Sequence, residues 1–470
     1  MPILFISDIS SLSLIYRFII AENADNCNTF SQRAPLVGLV LGSQIMAILD
    51  TFVKPVSNFR QYSIKNHLLS AKLHLIFSLL CGKLRRKGGE GMEKVMAALS
   101  GGVDSSVAVF LLKQAGYDCG GCIMTLHAPA PESIADAKSV ADRLCVPFYV
   151  LDSQDIFRKR VIDDFIAAYE RGDTPNPCIV CNKCIKFSHF LQEAEALGYE
   201  KIATGHYARI HKDENTGRYL LLRALDESKD QSYFLYMLNQ HQLKRTLLPL
   251  GELTKTQVRQ IAEDNGFVNA HRKDSQDICF VPDGDYLAFM KDYTKKSYPC
   301  GDFLDLTGKK VGTNNGAVGY TLGQRKGLGI ALGAPVYVCG KDMEKNTVTV
   351  GPEAHLFSTT LLAKDCNWFP FETLVDPIKV TAKARYRHKE QPATVYPLEN
   401  GQVKVIFDTP QRALTTGQAV VFYNGETVIG GGTICQVKSA LRCSAHFIFT
   451  LGKYSFTKST FSTWKVFPSK

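Results

Sequence analysis

The stretch Ala98-Leu99-Ser100-Gly101-Gly102-Val103-Asp104-Ser105-Ser106 joins an apolar, strand-like segment, residues 95–99, to a helical segment that ends near Gly116. Its two glycines allow the backbone to turn tightly and to approach a ligand, and its serines place hydroxyls beside the unpaired amides of a helix N-terminus. It lacks both the Gly-Lys-Ser/Thr ending of a Walker loop and the spacing of a dinucleotide fingerprint. The stretch therefore predicts a phosphate-binding loop of another type.

Apolar strands and amphipathic helices alternate around this loop. The predicted strands are residues 94–99, 117–124, 148–151 and 201–204, and the predicted helices are residues 105–115, 133–144, 156–170 and 186–197. Such alternation predicts a parallel sheet covered by helices, in which ligands bind beyond the carboxyl ends of the strands. The Ser100 loop, Met124 and Gly205 all fall at such ends.

The pattern changes after Gly205. Residues 208–225 predict a hairpin that turns at 214–217, and residues 231–267 predict helix, with Gly266 as its C-cap. From Gly301 onward the chain predicts short strands of a small β-barrel, at 317–321, 335–338, 347–350, 379–384, 403–407 and 419–423. We therefore predict an α/β protein with a Rossmann-like parallel-sheet domain (92–207), a small central helical and hairpin domain (208–300) and a C-terminal β-barrel (301–434).

The 470 residues are enough for two or three domains, and their net charge of +10 is unevenly spread. Residues 1–91 carry +5 and residues 435–470 carry +6, so residues 92–434 carry −1. Overall basicity therefore does not indicate nucleic-acid binding. The apolar runs of residues 1–91 are too short to span a bilayer, and we predict no membrane association. We expect folding to begin near Met92, with 1–91 an unassigned extension and 435–470 a basic tail.

Fourteen cysteines are too dilute for a disulfide scaffold, and no strong signal peptide opens the chain, so a reducing cytoplasm fits best. Three of the cysteines crowd together at Cys178, Cys181 and Cys184, and Cys279 ends the polar string 273–279. These four thiols are the ones that need a chemical explanation.

The cysteine cluster follows two prolines at or near a predicted helix start. The amides and dipole of a helix start, with Lys183 and Lys186, lower the pKa of a thiol and favour a reactive thiolate. Cys-x2-Cys-x2-Cys is also the spacing of a zinc or iron–sulfur ligand set, for which Cys279 could supply a fourth ligand. Spacing alone leaves both a nucleophile and a metal site open.

Six sequence blocks carry a resemblance to known enzymes. They are 100–106 (SGGVDSS), 176–183 (NPCIVCNK), 203–209 (ATGHYAR), 229–234 (KDQSYF), 275–280 (SQDICF) and 319–325 (GYTLGQR). The first resembles the pyrophosphate loop of ATP pyrophosphatases, which split ATP into AMP and pyrophosphate. All six, in this order between residues 92 and 434, resemble the tRNA-specific 2-thiouridylase family, whose enzymes replace the C2 oxygen of the wobble uridine of tRNA with sulfur.

The resemblance implies ATP and Mg²⁺ as cofactors, and a persulfide delivered by a cysteine desulfurase or a sulfur-relay protein. ATP adenylates the C2 oxygen, which is otherwise a very poor leaving group. Cys279 then carries the persulfide sulfur and Cys181 is the nucleophile that liberates it, which leaves a Cys181–Cys279 disulfide for reduction. The implied ATP-binding residues are Ala98, Leu99, Ser100, Gly101, Gly102, Val103, Asp104, Ser105, Met124 and Gly205. An iron–sulfur cluster is not favoured, and no metal-binding residues are predicted.

The resemblance also implies an RNA-binding surface. The residues expected to contact the target base are Asn176, Pro177 and Cys178, and those expected to line the tRNA path are His206, Lys229, Asp230, Gln231, Arg385, Tyr386 and Gln418. Independently, residues 385–388 alternate basic and aromatic groups, as phosphate binding and base stacking require, although a solvated barrel strand has the same pattern.

Two of the clustered cysteines are not assigned a part in the implied sulfur transfer. Some relatives hold an aspartate, to which proton transfer is assigned, at the position of Cys178. We expect Cys184 to be structural.

Two other classes of function share some of these features. Another pyrophosphatase-loop enzyme, a ligase acting on a small molecule, would share SGGVDSS but would turn over ATP without tRNA. A zinc or iron–sulfur binding module would use the four cysteines as ligands, and metal analysis would identify it.

Overall fold

The computed structural model describes residues 92–127, 131–272, 278–281 and 283–438. The predicted extension 1–91, most of the predicted tail and the polar residues 273–277 before Ile278 lie outside the described residues. Within the described part, no helix combines the length and the apolar character that crossing a membrane requires.

The phosphate-loop stretch opens a parallel sheet. The first seven strands are β1 (Lys94–Ala98), β2 (Asp118–Thr125), β3 (Phe148–Asp152), β4 (Lys201–Ala203), β5 (Arg209–Lys212), β6 (Tyr219–Leu222) and β7 (Thr246–Leu247). Five of them form one sheet in the order β3-β2-β1-β4-β7, and every neighbouring pair is parallel. Val95, Met96 and Ala97 of the central strand β1 are buried because the strand lies between two other strands and beneath helices, as its apolar sequence predicts.

Helices cover this sheet. The helices of the described residues are α1 (Val103–Gln114), α2 (Pro131–Arg143), α3 (Gln154–Phe157), α4 (Asp163–Glu170), α5 (Pro177–Cys181), α6 (Phe190–Ala196), α7 (Gln240–Lys244), α8 (Lys255–Asp264) and α9 (Tyr286–Thr294). Of these, α1, α2, α6 and α7 contact strands of the sheet. Helix α1 buries Val103, Val107 and Leu112 in the same core as β1. Wider π-helical turns, Arg158–Ile162 and Asn182–His189, connect α3 to α4 and α5 to α6. The predicted α/β architecture is therefore confirmed.

The prediction of continuous helix over residues 231–267 is wrong. This segment contains a 3₁₀ turn (Ser232–Leu235), α7, β7 and α8. Asn239 and Thr254 each form a capping box, and a capping box fixes the start of a new helix. Pro249 and Gly251, which lie between α7 and α8, disfavour a continuous helix.

Residues 301–351 form a second, smaller sheet. Its strands are β8 (Gly301–Leu304), β9 (Lys310–Asn314), β10 (Tyr337–Asp342) and β11 (Thr347–Gly351), in the order β10-β11-β8-β9. Residues 317–321, predicted as a strand, contain a 3₁₀ turn instead. The Gly316 amide donates a 2.8 Å hydrogen bond to the Asn314 side chain, and this tight turn ends the preceding extended segment.

The predicted C-terminal barrel is present and closed. Its strands are β12 (Phe357–Trp368), β13 (Ile378–Lys383), β14 (Gln391–Pro397), β15 (Val403–Arg412), β16 (Ala419–Asn424) and β17 (Thr427–Lys438). They pair in the order β12-β15-β14-β13-β16-β17, and β17 pairs back with β12. β17 continues four residues past the predicted barrel limit at 434. The hairpin β5–β6 extends the barrel sheet through pairing of β6 with β17. The predicted division at 92, 208, 301 and 435 stays a prediction.

Candidate functional site

The phosphate-loop residues form a turn at the carboxyl end of β1. Ser105 Oγ accepts a hydrogen bond from the Ser100 amide at 3.1 Å and donates one to the Gly102 carbonyl at 2.9 Å. Ser100 is exposed, Ala98, Gly102 and Asp104 are half-buried, and Leu99, Gly101, Val103 and Ser105 are buried. The exposed face at the start of a twelve-residue helix is a suitable place for phosphate oxygens.

Asp104 is the charged residue of this loop, and groups from outside the loop hold it. Lys255 Nζ lies 2.7 Å from both carboxylate oxygens, and Tyr207 donates its hydroxyl to Oδ1 at 2.8 Å. Lys255 is only 8% exposed because it lies at the start of α8, against the loop. The ammonium group therefore lies beside the position where phosphates are predicted to bind.

Two further side chains support the loop from behind. Asn269 Nδ2 donates to the Gly101 carbonyl at 3.0 Å and to Ser106 Oγ at 2.9 Å. Arg272 Nη1 donates to the same carbonyl at 3.2 Å and pairs with Asp136 at 2.7 Å. Sequence reasoning missed Lys255, Asn269 and Arg272, because no local motif marks residues that reach the loop from more than 150 positions away.

Met124 and Gly205, both predicted to bind ATP, lie near the ends of β2 and β4, the two strands that flank β1. Met124 is half-buried near the end of β2. A Cβ atom on Gly205 would lie 2.8 Å from the Ser105 amide nitrogen, so this position has room only for glycine. Gly205 therefore lets the segment after β4 pack directly against the phosphate loop.

The three clustered cysteines differ in exposure. Cys178 lies in the first turn of α5 and is exposed, Cys181 ends α5 and is 7% exposed, and Cys184 lies half-buried in the following π-helical turn. Asn176 precedes α5, and Pro177 is its first residue, a position that suits proline because no amide bond is lost there. The predicted base-contacting segment therefore leads directly into Cys181.

The structure brings Cys279 to this cluster. Its neighbours Ile278 and Phe280 pack in the same apolar core cluster as Cys181 and Cys184. Burial raises the pKa of Cys181 to about 11, Lys186 opposes this rise, and the nearby thiol of Cys279 adds to it. All described cysteines are free thiols. Residues of the 273–279 string other than Ile278 and Cys279 cannot be compared with the sequence prediction, because they lie outside the described residues.

The expectation that helix geometry lowers the pKa of the clustered thiols is wrong for Cys181. Helix α5 has only five residues and Cys181 is its last, so the helix N-terminus is not directed at this sulfur. Burial penalises the thiolate more than Lys186 stabilises it. In the described residues, no three His, Cys, Asp or Glu side chains are arranged to hold a metal ion.

Several residues predicted to line the tRNA path make internal contacts. Asp230 is buried and accepts bonds from the Ala224 and Ser232 amides at 3.1 and 3.2 Å, and Gln231 accepts one from the Tyr207 amide at 2.9 Å. Lys229, next to them, is half-buried. These contacts shape the loop between β6 and the 3₁₀ turn.

His206 directly follows Gly205 and contacts the π-helical turn that includes Cys184 of the cysteine cluster. Its Nδ1 is 2.8 Å from Thr204 Oγ1, and its ring contacts Phe187. Burial, helped by the positive charge of Lys186, holds the pKa of His206 well below its usual value. The imidazole is therefore neutral at physiological pH.

The predicted RNA-contacting residues of the barrel also have protein partners. Tyr386 packs against Phe234, with ring centroids 4.4 Å apart and ring planes tilted by 45°. Arg385 donates to the Ala413 carbonyl at 2.9 Å, and Gln418 donates to the Thr174 carbonyl at 2.8 Å. The barrel is thus bonded to the segment that leads into the cysteine cluster.

A parallel α/β sheet with this phosphate loop, together with a cluster of thiols and a barrel, defines a nucleotide-using enzyme of the pyrophosphatase-loop class. Models of three protein-family domains match the chain, described as tRNA methyl transferase HUP domain (93–283), tRNA methyl transferase PRC-barrel domain (287–352) and aminomethyltransferase beta-barrel domain (358–434). The tRNA-specific 2-thiouridylase MnmA of Clostridioides difficile is 46% identical over 73% of this chain and 98% of its own length, and that of Acetivibrio thermocellus is 48% identical over 73% and 99%. The chain belongs to the tRNA-specific 2-thiouridylase family.

Solved structures add little to this identification. NMN synthetase from Francisella tularensis aligns over 48% of this chain and 84% of its own, at 14% identity and a TM-score of 0.28. A 4-thiouridine synthetase in complex with RNA and bound ATP aligns over 43% and 50%, at 17% identity and a TM-score of 0.27. Both scores are too low to carry an argument about this chain.

Proposed function

We propose that this protein catalyses the ATP-dependent 2-thiolation of a uridine in tRNA, at the wobble position. The observation that carries the proposal is the meeting of Cys181 and Cys279 in one cluster, although they belong to segments far apart in the sequence. Two thiols in one cluster, in a protein that also carries a phosphate loop, suit a reaction that needs both ATP and transferable sulfur. A pyrophosphatase-loop ligase that acts on a small molecule does not require a pair of thiols.

The first step activates the uridine oxygen. The oxygen at C2 attacks the α-phosphate of ATP, and pyrophosphate leaves. The phosphates bind against the turn of the loop, where Ser100 is exposed and Gly102 is half-buried, and Lys255 lies where it can stabilise the pyrophosphate that departs. Mg²⁺ neutralises phosphate charge when it is bound, and it prefers oxygen ligands. Asp104, with a carboxylate that is 29% exposed, fits as its protein ligand.

The second step moves sulfur. A cysteine desulfurase or a sulfur-relay protein first leaves a persulfide on Cys279, which is exposed and accessible to a partner. Cys181 loses its proton and attacks the inner sulfur of this persulfide, which forms the Cys181–Cys279 disulfide and releases hydrosulfide. The hydrosulfide attacks C2, and AMP leaves with the former uridine oxygen. A thiol reductant must then restore the two cysteines, which suits a reducing compartment such as the cytoplasm.

The test is mass spectrometry of nucleosides from tRNA incubated with the protein, ATP, Mg²⁺ and a persulfide source. We expect 2-thiouridine, with AMP and pyrophosphate formed in equal amounts, and no product when ATP or the persulfide is omitted. ATP turnover that does not depend on tRNA, with no thiolated nucleoside, would contradict the proposal.

A further inference from the structure

A loop of the barrel is hydrogen-bonded to the chain segment just before the cysteine cluster. The loop is 415–418, which we call the barrel clamp. The Thr174 amide donates to the Thr416 carbonyl at 2.9 Å, and Gln418 Nε2 donates to the Thr174 carbonyl at 2.8 Å and to the Pro175 carbonyl at 3.4 Å. Both main-chain polar groups of Thr174 are therefore bonded to the barrel clamp.

Gly417 makes this contact possible. Its φ of +83° lies in the left-handed region, and a Cβ atom there would lie 2.9 Å from Asp173 Cβ and 3.0 Å from the Thr174 nitrogen. Atoms at these separations would force the two backbones apart. The barrel clamp and the segment from Asp173 to Thr174 thus touch with no space for a side chain.

The barrel holds the clamp from the opposite side. The Gly417 amide donates to the Ile434 carbonyl at 2.9 Å, and the Ile434 amide donates to the Gln418 carbonyl at 2.8 Å. Arg385 Nη2 donates to Thr415 Oγ1 at 2.5 Å, and Thr415 is only 5% exposed. The clamp is therefore tied to β17 and to Arg385, and it moves with the barrel.

The segment held by the clamp leads directly into the proposed chemistry. Only one residue, Pro175, separates Thr174 from Asn176, and Cys181 follows at the end of α5. Pro175 and Pro177 have fixed φ angles, so the direction imposed at Thr174 is transmitted along a stiff chain. We propose that the barrel clamp positions the segment 176–181, and that Arg385 and Gln418 act as positioning residues within the protein. This inference rests on the proposed function.

The experiment compares two glycine-to-alanine variants of the full chain. Gly417→Ala adds a methyl group inside the clamp and removes no side chain that RNA could contact. Gly425→Ala is the matched control, because Gly425 also has a positive φ, +57°, on the same barrel but has no atom within 4 Å of the added methyl. The readouts are the single-turnover rate of 2-thiouridine formation at saturating tRNA with persulfide-loaded protein, the Kd for tRNA, and the rate at which a maleimide labels Cys178.

We expect Gly417→Ala to lower the single-turnover rate by about ten- to a hundredfold, because small misplacements of reacting groups have effects of that size. Its Kd for tRNA should stay within about twofold of that of Gly425→Ala, and its Cys178 labelling rate should differ from that of the control. Equal single-turnover rates and equal Cys178 labelling rates in the two variants would overturn the proposal that the barrel clamp positions this segment. A weaker Kd with an unchanged rate at saturation would also overturn it, and would make this loop an RNA contact only.

Gln418→Met replaces Gly417→Ala in this experiment if the Gly417→Ala variant does not fold. Methionine keeps the size of the side chain but cannot donate to the Thr174 carbonyl, so we expect the same loss of rate and the same change in labelling. If the unmodified protein forms no 2-thiouridine, the proposed function fails. The Cys178 labelling rates still decide whether the clamp positions its segment.

Discussion

Asp104 belongs to the phosphate-loop motif, but the side chains that contact its carboxylate come from distant parts of the chain. Lys255 and Tyr207 hold its two carboxylate oxygens at 2.7–2.8 Å. From the motif alone, Asp104→Ala would be expected to remove only a phosphate or metal contact and to leave the fold intact. The structure adds a stability cost, because the substitution removes the carboxylate beside an almost buried ammonium group.

We expect Asp104→Ala to abolish adenylation and to lower the free energy of unfolding by about 2–4 kcal/mol. Asp104→Asn keeps an oxygen that accepts from Tyr207, so it should lose adenylation with a smaller loss of stability. Urea unfolding and pyrophosphate release measure the two effects. Normal thiolation by both variants would contradict the ATP-site assignment.

Cys181 provides a prediction about pH. Its pKa of about 11 means that it rests as a thiol at neutral pH, and only the thiolate reacts with an alkylating reagent. The thiolate fraction below the pKa rises about tenfold for each pH unit, so the rate of Cys181 alkylation by iodoacetamide should rise steadily from pH 7 to about 10. Peptide mass spectrometry, with Cys181→Ser as the control, identifies the modified residue. A plateau of the rate below about pH 9 would show that the pKa is not raised.

The roles proposed for the thiols can be separated by substitution. Cys181→Ser and Cys279→Ser should each stop 2-thiouridine formation, because a hydroxyl does not carry transferable sulfur and is poorly ionised. Cys184→Ser should reduce activity by less than about threefold, since Cys184 is half-buried and has no proposed chemical role. Nucleoside mass spectrometry gives the comparison. If loss of Cys184 is as damaging as loss of the other two, a metal-binding role for the cluster gains support.

At the scale of elements, α8 begins with a capping box next to Lys255, which contacts Asp104 of the predicted phosphate loop. The Thr254 side chain accepts from the Gln257 amide, the Gln257 side chain accepts from the Thr254 amide, and Lys255 begins the helix next to this box. We expect Thr254→Ala to lower the free energy of unfolding by about 1 kcal/mol. Thr313→Ala, at an exposed position of β9, is the control and should change it by about 0.5 kcal/mol or less. Equal losses in urea unfolding would mean that the cap does not stabilise α8.

The elements that sequence patterns missed are those whose limits depend on local bonds. Capping boxes at Asn239 and Thr254 divide a segment whose apolar residues suggest one helix. A hydrogen bond from the Gly316 amide to the Asn314 side chain forms a turn just before residues 317–321, which contain a 3₁₀ turn where the sequence predicts a strand. By contrast, the strand, loop and helix around Ser100 follow from apolar periodicity and glycine placement, which are properties of neighbouring residues.

At the scale of the whole molecule, the last strand closes the barrel beyond residue 434. Leu361 pairs with Val437 and Thr360 pairs with Lys438, so β17 depends on residues past the limit predicted from sequence. A protein consisting of residues 92–438 should therefore be soluble, bind ATP and thiolate tRNA. Its free energy of unfolding should exceed that of a protein consisting of residues 92–434 by about 1 kcal/mol for each β12–β17 hydrogen bond that the shorter protein lacks. Equal urea unfolding curves would show that these pairings do not stabilise the barrel.

Comparison of a protein consisting of residues 92–438 with one consisting of residues 92–470 tests the basic tail. Residues 439–470 carry positive charge and no acidic residue, so their loss should weaken tRNA binding modestly at low salt and hardly at all at high salt. An inactive 92–438 protein would mean that the tail or the extension 1–91 is part of the functional fold.

The sequence by itself determined the order of strand, loop and helix around Ser100, the presence of a barrel and the family, because each depends on patterns within short stretches of chain. Only the tertiary structure decided which residues meet across long separations. It placed Lys255 on Asp104, Cys279 in the cluster around Cys181, and Gln418 on Thr174. It also raised the pKa of Cys181, where helix arguments predicted a decrease. Burial and long-range contacts depend on how whole elements pack, and no local pattern of residues carries that information.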